Sequence, residues 1–292
     1  MHDASPRVGR SVGTEITVLD GDQRSNKHDE LVGEEPLEIR VTSDGRTQTL
    51  AVTMRTPGND FELTAGFLYN EGIVRSRDDF GRITYCFDRQ IEPEQRYNIV
   101  TVELRTAAAD LSRFERHFVT SSACGVCGRA QLDSLRALGA ASLDDDVAIA
   151  PRLLYELPQK MRDAQRVFAA TGGLHAAALF DEAGATIGVR EDIGRHNAVD
   201  KLVGWALFNG RVPLRRCILM VSGRAGYEIL QKSAMAGIPI VCSVSAPSSL
   251  AVELARQFHI TLVGFVRGEH ANVYAAGDRI MEEPPKTRVS AD

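Results

Sequence analysis

Cys217-Ile218-Leu219-Met220-Val221, followed at once by Ser222-Gly223-Arg224-Ala225-Gly226, decides how the second half of this chain folds. A short apolar run without polar alternation reads as a strand buried on both faces, and the small-residue stretch after it as a turn into a helix. Two more runs of the same kind occupy 238–244 and 260–266, each separated from its neighbour by a helix-length segment. Strands joined by helical crossovers build a mainly parallel sheet with helices on both faces. Upstream, helices are expected over 159–170 and 198–208, with a hairpin around Glu182-Ala183-Gly184 between them. Asn197 supplies a start for the second helix and Asn209-Gly210 a stop.

Parallel sheets take ligands at the carboxyl ends of their strands. After the first run comes Ser222-Gly223-Arg224, after the second Ser245-Ala246-Pro247-Ser248-Ser249, and after the third Arg267-Gly268. Turns and caps would account for one such loop. Three in register, with hydroxyls, an arginine and helix N-termini on one edge, favour a phosphate-bearing, nucleotide-like ligand. Neither G-x-x-x-x-G-K-[ST] nor G-x-G-x-x-G occurs, so common NTPases and dinucleotide dehydrogenases have little support.

The first half differs in kind. Residues 1–30 are polar and aperiodic and read as a flexible tail. Strands at 36–41 and 48–54 flank the turn pair Asp44-Gly45, a helix opens at Asn59 and ends near Gly72, and 83–87 and 97–104 read as strands. The expected organisation is therefore a tail (1–30), a β-rich subdomain (31–150) and an α/β cofactor-binding core (151–292).

Composition narrows the class. The chain has 292 residues, 43% hydrophobic and 25% charged, which is ordinary globular material. A net charge of -5 disfavours a general nucleic-acid binder, so an anionic ligand must be met by local positive groups. Five cysteines make no disulfide framework, and no apolar run is long enough for a bilayer span; a cytoplasmic protein with no membrane partner is expected.

Ser121-Ser122-Ala123-Cys124-Gly125-Val126-Cys127-Gly128 places two thiols three residues apart between glycines. Such a pair can lower a thiol pKa, share a metal, close a disulfide, or let one sulfur attack what the other carries. A zinc site would need two more ligands, and no second C-x-x-C exists. Cys217 and Cys242 sit in strand runs and read as inert core. Spacing alone leaves thiol chemistry and metal binding about equally open.

Two clusters are hard to explain as packing: Thr171-Gly172-Gly173-Leu174-His175, and Glu191-Asp192-Ile193-Gly194-Arg195-His196-Asn197. His175 and His196 are candidate thiol-activating or cofactor-contacting groups. Lys201 and Lys232 could support phosphates, although each by itself reads as a solvated charge.

Together with Ala236-Gly237-Ile238-Pro239, Ser245-Ala246-Pro247-Ser248-Ser249-Leu250-Ala251 and Leu262-Val263-Gly264-Phe265, these motifs resemble the FdhD family of formate dehydrogenase accessory sulfurtransferases, in order, from about 30 to 280. The resemblance implies a persulfide-carrying sulfurtransferase, a homodimer that takes sulfur from a cysteine desulfurase. It would pass that sulfur to the molybdenum of a bis(molybdopterin guanine dinucleotide) cofactor destined for a formate dehydrogenase apo-subunit. It also implies a cytidine-deaminase-like three-layer core, pockets in which a guanine nucleotide mimics the cofactor, and no resident metal. By position it puts the reactive thiols on Cys124 and Cys127, with Cys124 the expected carrier, and cofactor contacts on Val263, Gly264, Phe265, Val266, Arg267 and Gly268. The strand-end residues His175, Arg195, His196, Lys201, Ser222, Arg224 and Ser245 join that site by position. The competing classes are a non-catalytic cofactor chaperone, a zinc deaminase-like protein, whose H-x-E and P-C-x-x-C order is not met, and a thioredoxin-like redox protein.

Overall fold

The computed structural model describes residues 9–86, 88, 90–105, 135–144 and 146–281. Among these residues three sheets are formed. The first is a two-stranded antiparallel ribbon of β1 (Ser11–Asp20) and β2 (Gln23–Val32), turning at Gly21 with φ 58°. Most of the stretch expected to be a tail is therefore ordered strand. Its weak alternation of Val12, Thr14, Ile16 and Val18 with polar residues is a strand period diluted by an exposed setting.

The second sheet has the order β4-β3-β6-β5, built from β3 (Glu35–Ser43), β4 (Arg46–Arg55), β5 (Phe80–Tyr85) and β6 (Ile99–Leu104). Asp44 and Gly45, at φ 50° and 73°, make the tight β3–β4 turn, the geometry that Asp-Gly pairs favour. Helix α1 (Asp60–Asn70) lays Leu63 and Leu68 on Leu37, Ile39, Val41, Val100 and Val102 of this sheet.

The third sheet has six strands in the order β12-β11-β10-β9-β7-β8: β7 (His175–Asp181), β8 (Thr186–Asp192), β9 (Cys217–Val221), β10 (Ile240–Ser243), β11 (Thr261–Arg267) and β12 (His270–Ala275). It is mixed rather than mainly parallel. The β9–β10 and β10–β11 pairs are parallel, while β7–β8, β7–β9 and β11–β12 are antiparallel. The reason is connection length: two of the antiparallel pairs are hairpins, and only helix-length crossovers can return a chain parallel.

Helices α4 (Arg195–Phe208), α5 (Tyr227–Ala236) and α6 (Ser249–Gln257) cover one face, burying Leu202, Ile229 and Leu254 against Leu179, Leu219, Val241 and Leu262. Helix α2 (Pro151–Asp163) covers the other, with Leu154, Leu157 and Met161 on Phe180, Ile218, Met220, Ile240 and Val263. The helix expected over 159–170 is two helices, α2 and the short α3 (Arg166–Thr171). Pro151 at the first turn starts α2 early and Pro158 is accommodated inside it, a local cost outweighed by the buried stripe. Residues 135–144 and 146–149, grouped by the sequence with the first half, pack on the large sheet: Leu135, Ala140 and Leu143 join the core under α4, α5 and α6, and Val147 and Ile149 the core under α2.

The two larger layers are locked where α1 crosses α4. A Cβ on Gly66 would lie 1.8 Å from Asp200 O, and one on Gly204 1.9 Å from Glu62 O, so two glycines let the helix backbones touch.

Candidate functional site

Although the sheet is mixed, its topology gathers the singled-out motifs on one edge. Strand β7 runs against β9 and so begins where β9 ends, while β8, flanking β7 on its other side, ends there too; His175 pairs in register with Asp192. The edge thus collects His175, Asp192, the turn 193–197, Ser222-Gly223 and the loop after β10.

Asp192 organises the turn. Its Oδ1 accepts hydrogen bonds from Gly194 N (2.8 Å) and Asn197 Nδ2 (3.1 Å), and its Oδ2 accepts from Thr56 N (3.2 Å) and pairs with Lys201 Nζ (2.7 Å). Asn197 Nδ2 also donates to Met54 O, and Lys201 Nζ to Thr56 O. The end of β4 therefore holds the turn of the larger layer. Lys201, expected at the cofactor, is buried with its ammonium committed to this knot, and Lys232 is likewise buried against Asp200 at 2.8 Å. Both read as surface charges in sequence because a helix position does not reveal what packs on it.

His175 and Arg195 close over the next turn. A Cβ on Gly223 would come 3.2 Å from His175 Nδ1 and 3.5 Å from Arg195 Cδ, so glycine there makes room for both side chains. Burial lowers the His175 pKa, the charges of Arg195 and His196 lower it further, and Asp192 opposes them. The imidazole is thus neutral near neutral pH. Arg195 Nε is buried without a hydrogen-bond partner among the described residues. His196 Nδ1 lies 2.7 Å from Glu228 Oε2, and that contact holds the Glu228 carboxyl below its usual range. Glu228 was not anticipated; an acid in the first turn after Ser222-Gly223-Arg224-Ala225-Gly226 was the available signal.

The remaining positions divide by role. Ser222 Oγ accepts from Ala176 N (2.8 Å), stitching β7 to the end of β9, whereas Arg224 points to solvent. Ser243 Oγ donates to Gly223 O (2.6 Å), Ser245 O accepts from Phe265 N (3.2 Å), and Arg267 Nε donates to Val244 O (3.0 Å), so the loops after β9, β10 and β11 form one edge. Val263 and Val266 are fully buried in the core, leaving Phe265, Arg267 and Gly268 as the reachable part of 263–268. Phe265 has φ 54°, at a register shift in β11. A large residue in left-handed backbone costs on the order of 1 kcal/mol or more and belongs to turns and functional sites.

Beside this edge lies a cavity of about 620 Å³ walled by Arg162, Phe168, Leu174, His175, Ser222 and Val244. The Arg162 guanidinium sits 4.0 Å over the Phe168 ring, and the nearby Gln165 is 3% exposed with Nε2 unpartnered among the described residues. Sequence reasoning missed this α2–α3 wall because a break between two helices carried no motif. His175 and Ser222 line the cavity and Arg195 adjoins His175; Lys201 and Arg224 do not reach it.

Cys124 and Cys127 lie outside the described residues. Of the described thiols, burial pushes Cys217 up to about 11 and Cys242 up to about 12, far from the thiolate form. Among the described residues no group of three or more His, Cys, Asp or Glu side chains is placed to hold a metal ion, and no helix is long and apolar enough to cross a membrane.

Comparison with known proteins adds the following. Residues 32–281 match a family model described as the FdhD/NarQ family. A protein of Streptomyces avermitilis named "Sulfur carrier protein FdhD" is 52% identical over 271 residues, covering 91% of this chain and 93% of that one. Proteins of the same name are 49% identical in Mycobacterium tuberculosis, covering 91% of this chain and 96% of theirs, and 42% identical in Saccharolobus solfataricus, covering 89% and 94%. A solved structure from Desulfotalea psychrophila, described as a formate dehydrogenase accessory protein, superposes with TM-score 0.71 at 24% identity, covering 93% of this chain and 99% of that one; the fold is shared.

Proposed function

The chain belongs to the FdhD/NarQ family, and from that premise we propose that it is a sulfur carrier serving a formate dehydrogenase. The observation that carries this reading is the Cys124-Gly125-Val126-Cys127 pair in a chain about half identical, over nearly all its length, to proteins named as sulfur carriers. Burial pushes the Cys217 and Cys242 thiols up to about 11 and about 12, so neither competes with that pair; the remaining described cysteine, Cys86, is a lone thiol outside any C-x-x-C.

In the proposed reaction the Cys124 thiolate attacks the terminal sulfur of a cysteine desulfurase persulfide. The donor S–S bond breaks, its electron pair leaves on the donor thiolate, and Cys124 becomes a persulfide. Attack by the Cys127 thiolate on the inner sulfur of that persulfide would then release hydrosulfide to the substrate and leave a Cys124–Cys127 disulfide, the two thiols supplying the electrons. The proposed substrate is the molybdenum of a bis(molybdopterin guanine dinucleotide), carried as cargo. Its anionic and planar parts fit the strand-end edge: Arg195 offers an unpartnered donor, His175 a neutral imidazole, and the cavity a polar and aromatic wall. Lys201 has no part in that contact, being committed beneath the turn. A cytoplasmic location and the deaminase-like ancestry of the core belong to the same proposal.

The test is to incubate the protein with a cysteine desulfurase, cysteine and pyridoxal phosphate, then read the intact mass and thiol-trapped peptides. A gain of one sulfur on the Cys124–Cys127 peptide, lost in Cys124→Ala, is expected. Absence of any gain, with guanine nucleotide still binding the thiol-free protein, would instead identify a non-catalytic cofactor chaperone; zinc in the purified protein would favour a metal site.

A further inference from the structure

The break between α2 and α3 turns one polar side chain inward and leaves it unsatisfied. Helix α2 closes with short-range bonds, Ala164 N to Met161 O (3.2 Å) and Gln165 N to Arg162 O (3.1 Å), and Gln165 has non-helical backbone at φ -83° and ψ 85°. The chain re-enters a helix because the Glu191 carboxylate accepts from amides near its start, Val167 N at 3.1 Å and Phe168 N at 2.8 Å. That anchor fixes Phe168 under the Arg162 guanidinium and sets Gln165, 3% exposed, into the cavity wall beside them.

Two features of the wall point to a ligand. Gln165 Nε2 is buried without an acceptor among the described residues, and an unpaired buried amide is a cost that a hydrogen-bonding ligand removes. The lining around it, Phe168 and Leu174 with the planar Arg162 cation, suits a flat heterocycle, and a space of about 620 Å³ holds one. Phosphate is served elsewhere, by Arg195, which adjoins His175 and whose buried Nε lacks a partner among the described residues. We infer that Gln165 is the specificity-determining residue of this cavity: its amide reads the lactam edge, a ring carbonyl beside a ring N–H, of a planar heterocycle seated against Arg162 and Phe168. Nε2 donates to the carbonyl, and Oε1 accepts from the N–H. This role rests on the proposed cofactor as cargo, and it adds the wall that meets the cofactor's ring and the edge that is selected. Guanine and pterin share the lactam edge, so a ring from either source answers to the same amide.

Calorimetric titration of the full chain tests the role with GMP, purine riboside monophosphate, 6-hydroxymethylpterin and inorganic pyrophosphate. Purine riboside monophosphate keeps the sugar and phosphate of GMP but lacks the ring carbonyl and its N–H. The wild type is expected to bind a lactam ring about tenfold more tightly than this carbonyl-free nucleotide, because a site built to hydrogen-bond an edge rejects the analogue that lacks it. Gln165→Leu should lose that margin for GMP, which assigns the guanine, or for the pterin, which assigns the pterin ring, with pyrophosphate affinity unchanged. Gln165→Glu, which keeps the shape but as a carboxylate cannot donate to a carbonyl, should lose it too. Gln165→Leu also removes an unpaired buried donor, so its melting midpoint should equal or exceed that of wild type; a drop of several degrees would make Gln165 structural and overturn the role. A wild type with no margin for either lactam, or a variant that retains it, overturns the role and leaves sulfur transfer untouched. If the wild type binds neither nucleotide nor pterin, this role and the cofactor reading fall together. Failure of the sulfur gain with ring selectivity intact removes only the sulfur carrier.

Discussion

Lys201 Nζ lies 2.7 Å from Asp192 Oδ2 with the two side chains 2% and 0% exposed, joining the end of β8 to the second turn of α4 beneath the strand-end turn. Removing one partner of a buried ion pair strands the other charge, which costs about 3–5 kcal/mol. Lys201→Met should therefore lower the denaturant midpoint by that order without a change in slope. A loss under about 1 kcal/mol would show that Lys201 is not structural and would reopen a ligand role for it.

The α1–α4 crossing is the least forgiving place for added volume. In both Gly66→Ala and Gly204→Ala the new methyl would meet backbone, which cannot rotate aside, so each should destabilise by about 1–3 kcal/mol or prevent soluble expression. Gly226→Ala, whose Cβ would meet nothing within 4 Å, should stay within about 1 kcal/mol of wild type by thermal unfolding.

His175 predicts a pH dependence. Its folded pKa is below the usual 6.5, so as pH falls through 6.5 the unfolded chain takes up a proton that the folded chain resists. Stability is fully present above the unfolded value and is lost as pH falls toward the folded one. Melting curves between pH 7.5 and 5.5 should show a steeper acid-side loss for wild type than for His175→Gln. Equal slopes would mean that His175 is not desolvated as the structure has it.

The thiols should separate by reactivity. With values of about 11 and 12, Cys217 and Cys242 hold under about one part in a thousand as thiolate at pH 7.5. Iodoacetamide should therefore modify Cys124 and Cys127 well before either of them, as read by peptide mass mapping. Early labelling of Cys242 would mean that the sheet core opens.

How much was legible follows from what each signal depends on. The apolar runs became β9, β10 and β11, and Asp44-Gly45 the β3–β4 turn, because burial on both faces and positive φ leave marks in the residues themselves. Topology was not legible in the same way. The sequence suggested a mainly parallel sheet, yet hairpins and a strand laid antiparallel to β9 made it mixed, since pairing depends on where a chain returns. His175, a site candidate from its motif, reaches the strand-end edge beside Ser222-Gly223 only because β7 runs antiparallel to β9.

The sequence by itself determined most element types from residue 35 onward, the thiol pair and the motifs that single out the strand ends, all of them local properties of side chains and backbone; the exposed β1–β2 ribbon, which buries little, left too weak a pattern to read. The tertiary structure alone decided which charges are spent and which are free. Lys201 and Arg195 stand six positions apart on one helix; packing buries the first against Asp192 and leaves the second with an unpartnered donor beside His175. That division rests on desolvation and on contacts between residues far apart in the chain, which no local pattern records.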